Sequence, residues 1–139
     1  MHQHQEEITV STRGRGLYAI TREVAGCVAR AQMASGLVTV FCRHTSASLL
    51  IQENADLDVQ RDLIAYFDRL VPDGDDLFIH TTEGPDDMPA HVKGALTQAS
   101  LGIPIVGGRM ALGTWQGLYL FEHRLAPHTR KLVVHATGG

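Results

Sequence analysis

Cysteine is scarce in this chain: Cys27 and Cys42 are the only two, so a framework of several disulfides is excluded. Cys27 falls on the apolar face of an expected helix and Cys42 inside an expected strand, positions that suit reduced core thiols. Long apolar runs are missing too, and nothing approaches the roughly 20 residues a bilayer-crossing helix needs. Positive charge is in deficit. Twelve Lys and Arg stand against fifteen Asp and Glu, for a net charge of -3, which argues against a nucleic-acid scaffold and its concentrated basic face. The first residues, Met1 to Glu7, carry neither the basic nor the apolar segment of an export signal. No HExxH, CxxC, P-loop or GxSxG signature occurs, and no internal repeat, low-complexity tract or linker divides the chain. The expectation is one cytoplasmic domain over residues 1–139, with residues 1–6 a frayed leader in which His2 and His4 have no role.

What is present is a hydrophobic content of 44%, enough for a genuine core, and eight histidines, which is many for this length. Three polar blocks interrupt the apolar runs. The first runs from Arg43 and His44 through Glu53, Asn54 and Asp56. The second spans His80 to His91 and contains Glu83, Asp86 and Asp87. The third opens with Gly113, Thr114, Trp115 and Gln116 and closes with Glu122, His123 and Arg124. Such bunching suggests one converging pocket, with His128 in a turn as a surface residue.

Helical spacing occurs three times. After Thr21, a plausible N-cap, Val24, Cys27, Val28 and Ala31 recur on one face, and Gly36 offers a stop. From Asp58, the residues Val59, Leu63, Phe67 and Leu70 form a stripe ending before Pro72. A third helix is capped by Asp86 or Asp87, buries Val92, Ala95, Leu96 and Ala99, and ends at Gly102 and Pro104. Strands are expected at Glu7–Ser11, Leu17–Ile20, Leu37–Arg43, Ser48–Gln52, Leu77–Thr81, Ile103–Val106, Leu112–Glu122 and Lys131–Ala136. They come in pairs and triplets between helices, which indicates an α+β fold with mostly antiparallel sheet packed against two to three helices.

Side chains alternate along a strand, so Trp115, Tyr119, Phe121 and His123 share one face of the third block and Thr114, Gln116, Leu118, Leu120 and Glu122 the other. Both faces are largely apolar, so the strand is central or lies at a subunit interface. Its polar tips lie some 20 Å apart. One strand cannot bring both to one pocket unless a neighbouring subunit supplies the second. Glu122 and His123 read equally well as a solvated strand end. His91 falls in the first turn of its helix, where the dipole favours neutral imidazole, the form a metal ligand or general base needs. Glu83, Asp86 and Asp87 precede it on a Gly-Pro loop, and one of the two aspartates suits an N-cap. His44 ends an apolar strand, and Asn54 can hold a ligand or orient a ring.

The words His44-Thr45-Ser46-Ala47-Ser48, Glu53-Asn54-Ala55-Asp56, Met88-Pro89-Ala90-His91, Gly113-Thr114-Trp115-Gln116-Gly117 and Glu122-His123-Arg124, in this order, resemble the YjbQ family from about Ile8 to Gly138. The resemblance implies a single α+β domain assembled as a homotrimer, with a pocket between subunits near the matched polar residues. It also implies a weak thiamine-phosphate synthase activity, in which an aminopyrimidine methyl diphosphate is joined to a thiazole phosphate with loss of pyrophosphate. This chain reads Glu83-Gly84-Pro85-Asp86-Asp87 where the family commonly has Glu-Gly-Asp-Asp-Asn. Pro85 stiffens the loop and Asp87 replaces an amide with a charge.

On this reading His44, Glu83 and His91 are catalytic, and His44, His91, His123, Asp86 and Asp87 can ligate a divalent metal, zinc more than magnesium because imidazoles head two blocks. Asn54, Thr114 and Gln116 would position a small phosphorylated metabolite. Arg124 and Arg109 would take its negative charge, although Gly107-Gly108-Arg109 is equally a turn between strands. The competing readings are a non-catalytic trimeric protein binding a metal or metabolite and a metal-dependent hydrolase.

Overall fold

The computed structural model describes all residues, 1–139. The order of elements is β1 (His2–Thr12), β2 (Gly16–Ala19), α1 (Thr21–Ala31), β3 (Ser35–Cys42), β4 (Ala47–Glu53), α2 (Leu57–Leu70), α3 (Asp87–Leu96), β5 (Ser100–Val106), β6 (Arg109–Met110), β7 (Gln116–Glu122) and β8 (His128–Gly138). A five-stranded sheet has the order β1-β8-β3-β5-β6 and a three-stranded sheet the order β2-β7-β4. Every pairing is antiparallel. This is the α+β class with three helices.

Alternation builds the core. Val38 and Val40 of β3, Leu101, Ile103 and Ile105 of β5, and Leu132, Val134 and Ala136 of β8 all point inward from the larger sheet. They meet Leu49, Leu118 and Leu120 of the smaller sheet and Val24, Cys27 and Val28 of α1 in one cluster. Both cysteines are free and buried there. β7 is the central strand of its sheet, and from Gly117 to Glu122 it is buried on both faces, as its apolar residues required. Leu118 and Leu120 join the core, while Phe121 meets the Phe67 ring of α2 edge-on at 5.5 Å. No helix is long and apolar enough to cross a membrane.

The structure corrects several expectations. Residues 2–6 are not frayed: they pair with β8, His2 opposite Gly138, and His4 bonds Glu6. Leu77–Thr81 forms no strand. It belongs to the α2–α3 connection, closed by Gly74 N–H donating to Pro85 C=O and by Asp75 accepting from Leu77 N–H. α1 ends at Gln32 in the left-handed region, four residues before Gly36, and Thr21 does not cap it: the Thr21 hydroxyl accepts the Leu118 N–H of β7. α3 stops at Leu96, and Gly102 and Pro104 are strand residues of β5, with Leu37 opposite Pro104. Proline is tolerated there because its missing N–H costs nothing where no ladder bond is required. The Gly107-Gly108 pair, both at positive φ, turns β5 into β6, so the hairpin reading of that sequence holds.

Candidate metal centre

α3 turns an unexpected face to the protein. Asp87, Ala90 and Lys93 are buried, at i, i+3 and i+6, while Ala95 and Leu96 are exposed. The apolar stripe read from the sequence is therefore the outer side, because the inward side carries charge held by specific partners. The ammonium of fully buried Lys93 bonds Asp68 of α2 at 2.7 Å. Gly94 lets the helix lie close to the β3–β4 turn, since a Cβ there would stand 3.0 Å from the Thr45 carbonyl.

The Asp87 carboxylate is the centre of the site, with its side chain only 2% exposed. One oxygen, Oδ2, lies 2.8 Å from His80 Nε2 and 3.2 Å from His91 Nε2. The other, Oδ1, accepts the Arg124 guanidinium at 2.8 Å. Arg124 also bonds Asp86 Oδ2 at 3.0 Å and the Glu83 carbonyl at 2.9 Å, so this one side chain ties the loop before α3 to the end of β7. Burial works to raise the Asp87 pKa, but the His80 hydrogen bond and the Arg124 and His91 charges outweigh it and hold the carboxyl below its usual value. The ligand atoms of His80, Asp87 and His91 lie within 4.8 Å of one another. Two imidazoles and one carboxylate so gathered are a donor set suited to zinc or a similar ion.

His91 also faces a second space. With His44, Thr45, Ser48 and Gly94 it walls a cleft of about 350 Å³ between the β3–β4 turn and α3. His44 Nε2 accepts the backbone N–H of Lys131 at 2.8 Å. Burial, together with the Arg130 charge, pushes the His44 pKa down. On its other flank, His80 lines a loop cavity of about 320 Å³ with Gly74, Phe78 and Pro85.

The remaining residues of the sequence reading lie elsewhere. His123 is wholly buried, not a solvated strand end. Its Nε2 is 2.8 Å from Ser48 Oγ, its Nδ1 has no partner, and it stands apart from the His80, Asp87, His91 group. Burial and the nearby Lys93 charge lower its pKa to about 3. Glu122 is likewise buried, paired with Arg130 and bonded by the Thr12 hydroxyl at 2.7 Å. Asp86 serves Arg124 and the Leu125 N–H, and the Glu83 side chain is mostly exposed. Asn54, Thr114 and Gln116 cluster at the far tip of β7, where the Asn54 amide donates to the Thr114 and Gln116 carbonyls at 3.4 Å. Arg109 lines a separate groove of about 460 Å³ beside α1. His80 was overlooked because the loop around it was read as strand. The signal that finds the centre is the Asp87–His91 spacing of four, which stacks both side chains on one helix face.

Similarity to known proteins bears on the activity. The chain is 52% identical over 136 residues to the UPF0047 protein sll1880 of Synechocystis, covering 98% of this chain and 92% of that protein. It is 38% identical to the UPF0047 protein YjbQ of Escherichia coli O157:H7, with 97% and 98% covered. A crystal structure of an uncharacterized YjbQ/UPF0047 protein from Clostridium acetobutylicum superposes with a TM-score of 0.89 at 36% identity, covering 95% of this chain and 99% of that one. These relatives carry only the UPF0047 designation, which names no reaction, and the expectation of thiamine-phosphate synthesis is corrected accordingly. The geometry agrees with that correction. The two cations expected to take the ligand's negative charge are engaged or remote: Arg124 is paired with two aspartates and Arg109 lies beside α1. A model of the UPF0047 YjbQ-like family matches residues 6–139, and with relatives this similar across nearly the whole length, the chain belongs to that family.

Proposed function

We propose that this protein is a transition-metal-binding protein whose centre is His80, Asp87 and His91, working in the cytoplasm where Cys27 and Cys42 stay reduced. The observation that carries the reading is the spacing of the three donor atoms, all within 4.8 Å of one another around a carboxylate that is nearly inaccessible to solvent. Three protein ligands leave a coordination position free, as in catalytic zinc sites. When bound, such an ion supplies a positive centre that polarises an oxygen of its ligand. The protein's own contribution is orientation: Arg124 fixes the carboxylate from behind, and the helix and loop bring the rings from two directions.

The test is titration of the purified protein with zinc and cobalt(II), followed by calorimetry and the cobalt absorption spectrum. One equivalent per chain is expected, with binding lost in Asp87→Asn and His91→Ala. Stoichiometric binding that survives both substitutions would refute the centre.

The reading includes self-association as a homotrimer. Leu37, Phe41 and Val106 project apolar side chains from the outer face of the larger sheet and are each about half exposed or more. Sedimentation velocity is expected to return three times the 15.2 kDa chain mass, with Phe41→Asp reducing it.

A further inference from the structure

We infer that the His44 side of the 350 Å³ cleft is a hydrogen-bond-donor subsite for the oxyanion, carboxylate or phosphate, of a small ligand whose other end reaches the metal centre. The inference rests on the proposed centre for that second contact, and on His44 alone for the first.

The argument begins with a backbone group that can only donate. β8 pairs with β3 as far as Cys42 opposite Leu132, where β3 ends. The next N–H on β8, that of Lys131, would be left without a ladder partner. The ring of His44 takes the place of the missing strand, with Nε2 accepting that N–H at 2.8 Å. A nitrogen that accepts carries no proton, so the proton of the neutral imidazole lies on Nδ1. Burial and the facing Arg130 and Arg43 charges oppose a second proton, while Glu122 only partly offsets them. His44 is therefore a neutral donor with a fixed tautomer. It cannot ligate a metal through Nε2 without breaking the Lys131 contact, nor through Nδ1 without losing its proton. This separates it from His91, with which it shares the cleft.

The rest of the cleft suits a small ligand. Ala47, Ala95, Ala99 and Gly94 give it shallow apolar walls, and Thr45, which also lines it, carries a hydroxyl as a second donor. No carboxylate lines it. An oxyanion at the His44 end would meet donors and no like charge.

The experiment uses ¹⁵N-histidine-labelled full-length protein, with inorganic phosphate and acetate as probes, each with and without one equivalent of zinc. The expected result has three parts. His44 shows the nitrogen shifts of an Nδ1–H tautomer before and after zinc. One or both anions perturb its Nδ1 resonance. His44→Gln, which keeps an acceptor near the Nε2 position but offers no donor at Nδ1, weakens anion binding at least tenfold and changes zinc affinity less than twofold. His44→Asn, which restores an amide donor near Nδ1, recovers part of the loss. Failure of zinc to bind removes the metal reading but leaves the tautomer and anion measurements to judge His44. An Nε2–H tautomer, a His44 shift characteristic of metal ligation, or no anion response with or without zinc overturns the subsite. Phosphate binding without acetate binding, or the reverse, identifies which oxyanion the cleft takes.

Discussion

Asp87 does two jobs that depend on different oxygens, and Arg124 is what keeps them separate. Its guanidinium occupies Oδ1, leaving Oδ2 directed at the two imidazoles. Arg124→Lys keeps the charge but replaces a planar fork with a point donor, so it can hold Asp86 or Asp87 but not both in the same geometry. Zinc affinity is expected to fall about 10–100-fold, the usual effect of disturbing a group that orients a ligand, with circular dichroism unchanged. An unchanged affinity would show that Asp87 is held by its burial alone. Glu122 offers a contrasting case, since nothing there faces a ligand. It is fully buried and bonded by Arg130 and Thr12. Arg130→Ala strands that carboxylate, at a cost of about 3–5 kcal/mol in denaturant unfolding. Asp87 and His91 are among the donors named from the sequence, and the helical spacing of four that pairs them is a signal that reading did not use. The burial of His123 was not legible, because alternation tells which face a side chain takes but not whether a helix covers that face.

At the scale of elements, the sequence read best where strand-forming residues cluster. β3, β4, β7 and β8 are short runs rich in apolar and β-branched residues and were found within a few residues of their ends. It read worst at glycines, whose signal is the same for a helix stop, a turn or a close approach. Gly36 shows the difference. It stands in β3 directly opposite Gly138, and a Cβ on it would lie 2.2 Å from the Thr137 carbonyl. The reason for glycine there is the narrow gap between β3 and β8, with no left-handed turn involved. Gly36→Ala must push the strand ends apart, and overpacking of this kind costs about 1–3 kcal/mol. The melting temperature is expected to drop by several degrees, and hydrogen exchange should quicken at Thr137 and Gly138 before other β8 amides. Gly107→Ala meets no atom within 4 Å, so its cost should come from positive φ alone.

At the scale of the whole molecule, the buried titratable groups set how stability responds to acid. The folded His123 has a pKa near 3 because burial and Lys93, then Arg15 and Arg130, disfavour its charged form, with only Glu122 opposing. An unfolded chain returns this ring to its ordinary 6.5. Between those two values the unfolded state binds a proton that the folded state refuses, so stability falls as pH falls through that window. His44 is shifted in the same direction and adds to the slope. The carboxyls of Asp86, Asp87 and Glu122 are lowered instead, so their contribution is full above the ordinary carboxylate range and disappears only below it. Urea midpoints measured from pH 8 to pH 3 should therefore show two onsets, an upper stage that begins near pH 6.5 and a lower one that adds to it below the ordinary carboxylate range. The upper stage amounts to a few kcal/mol and belongs largely to His123; the lower belongs to the carboxylates. His123→Phe removes the titrating group but keeps a ring against Phe121, whose centroid lies 4.3 Å away. This variant is expected to flatten the upper stage and leave the lower one in place. A midpoint curve that keeps its full slope between pH 6.5 and pH 4 in that variant would mean the protons are taken up elsewhere, and that the imidazole under Ser48 is already charged in the folded protein.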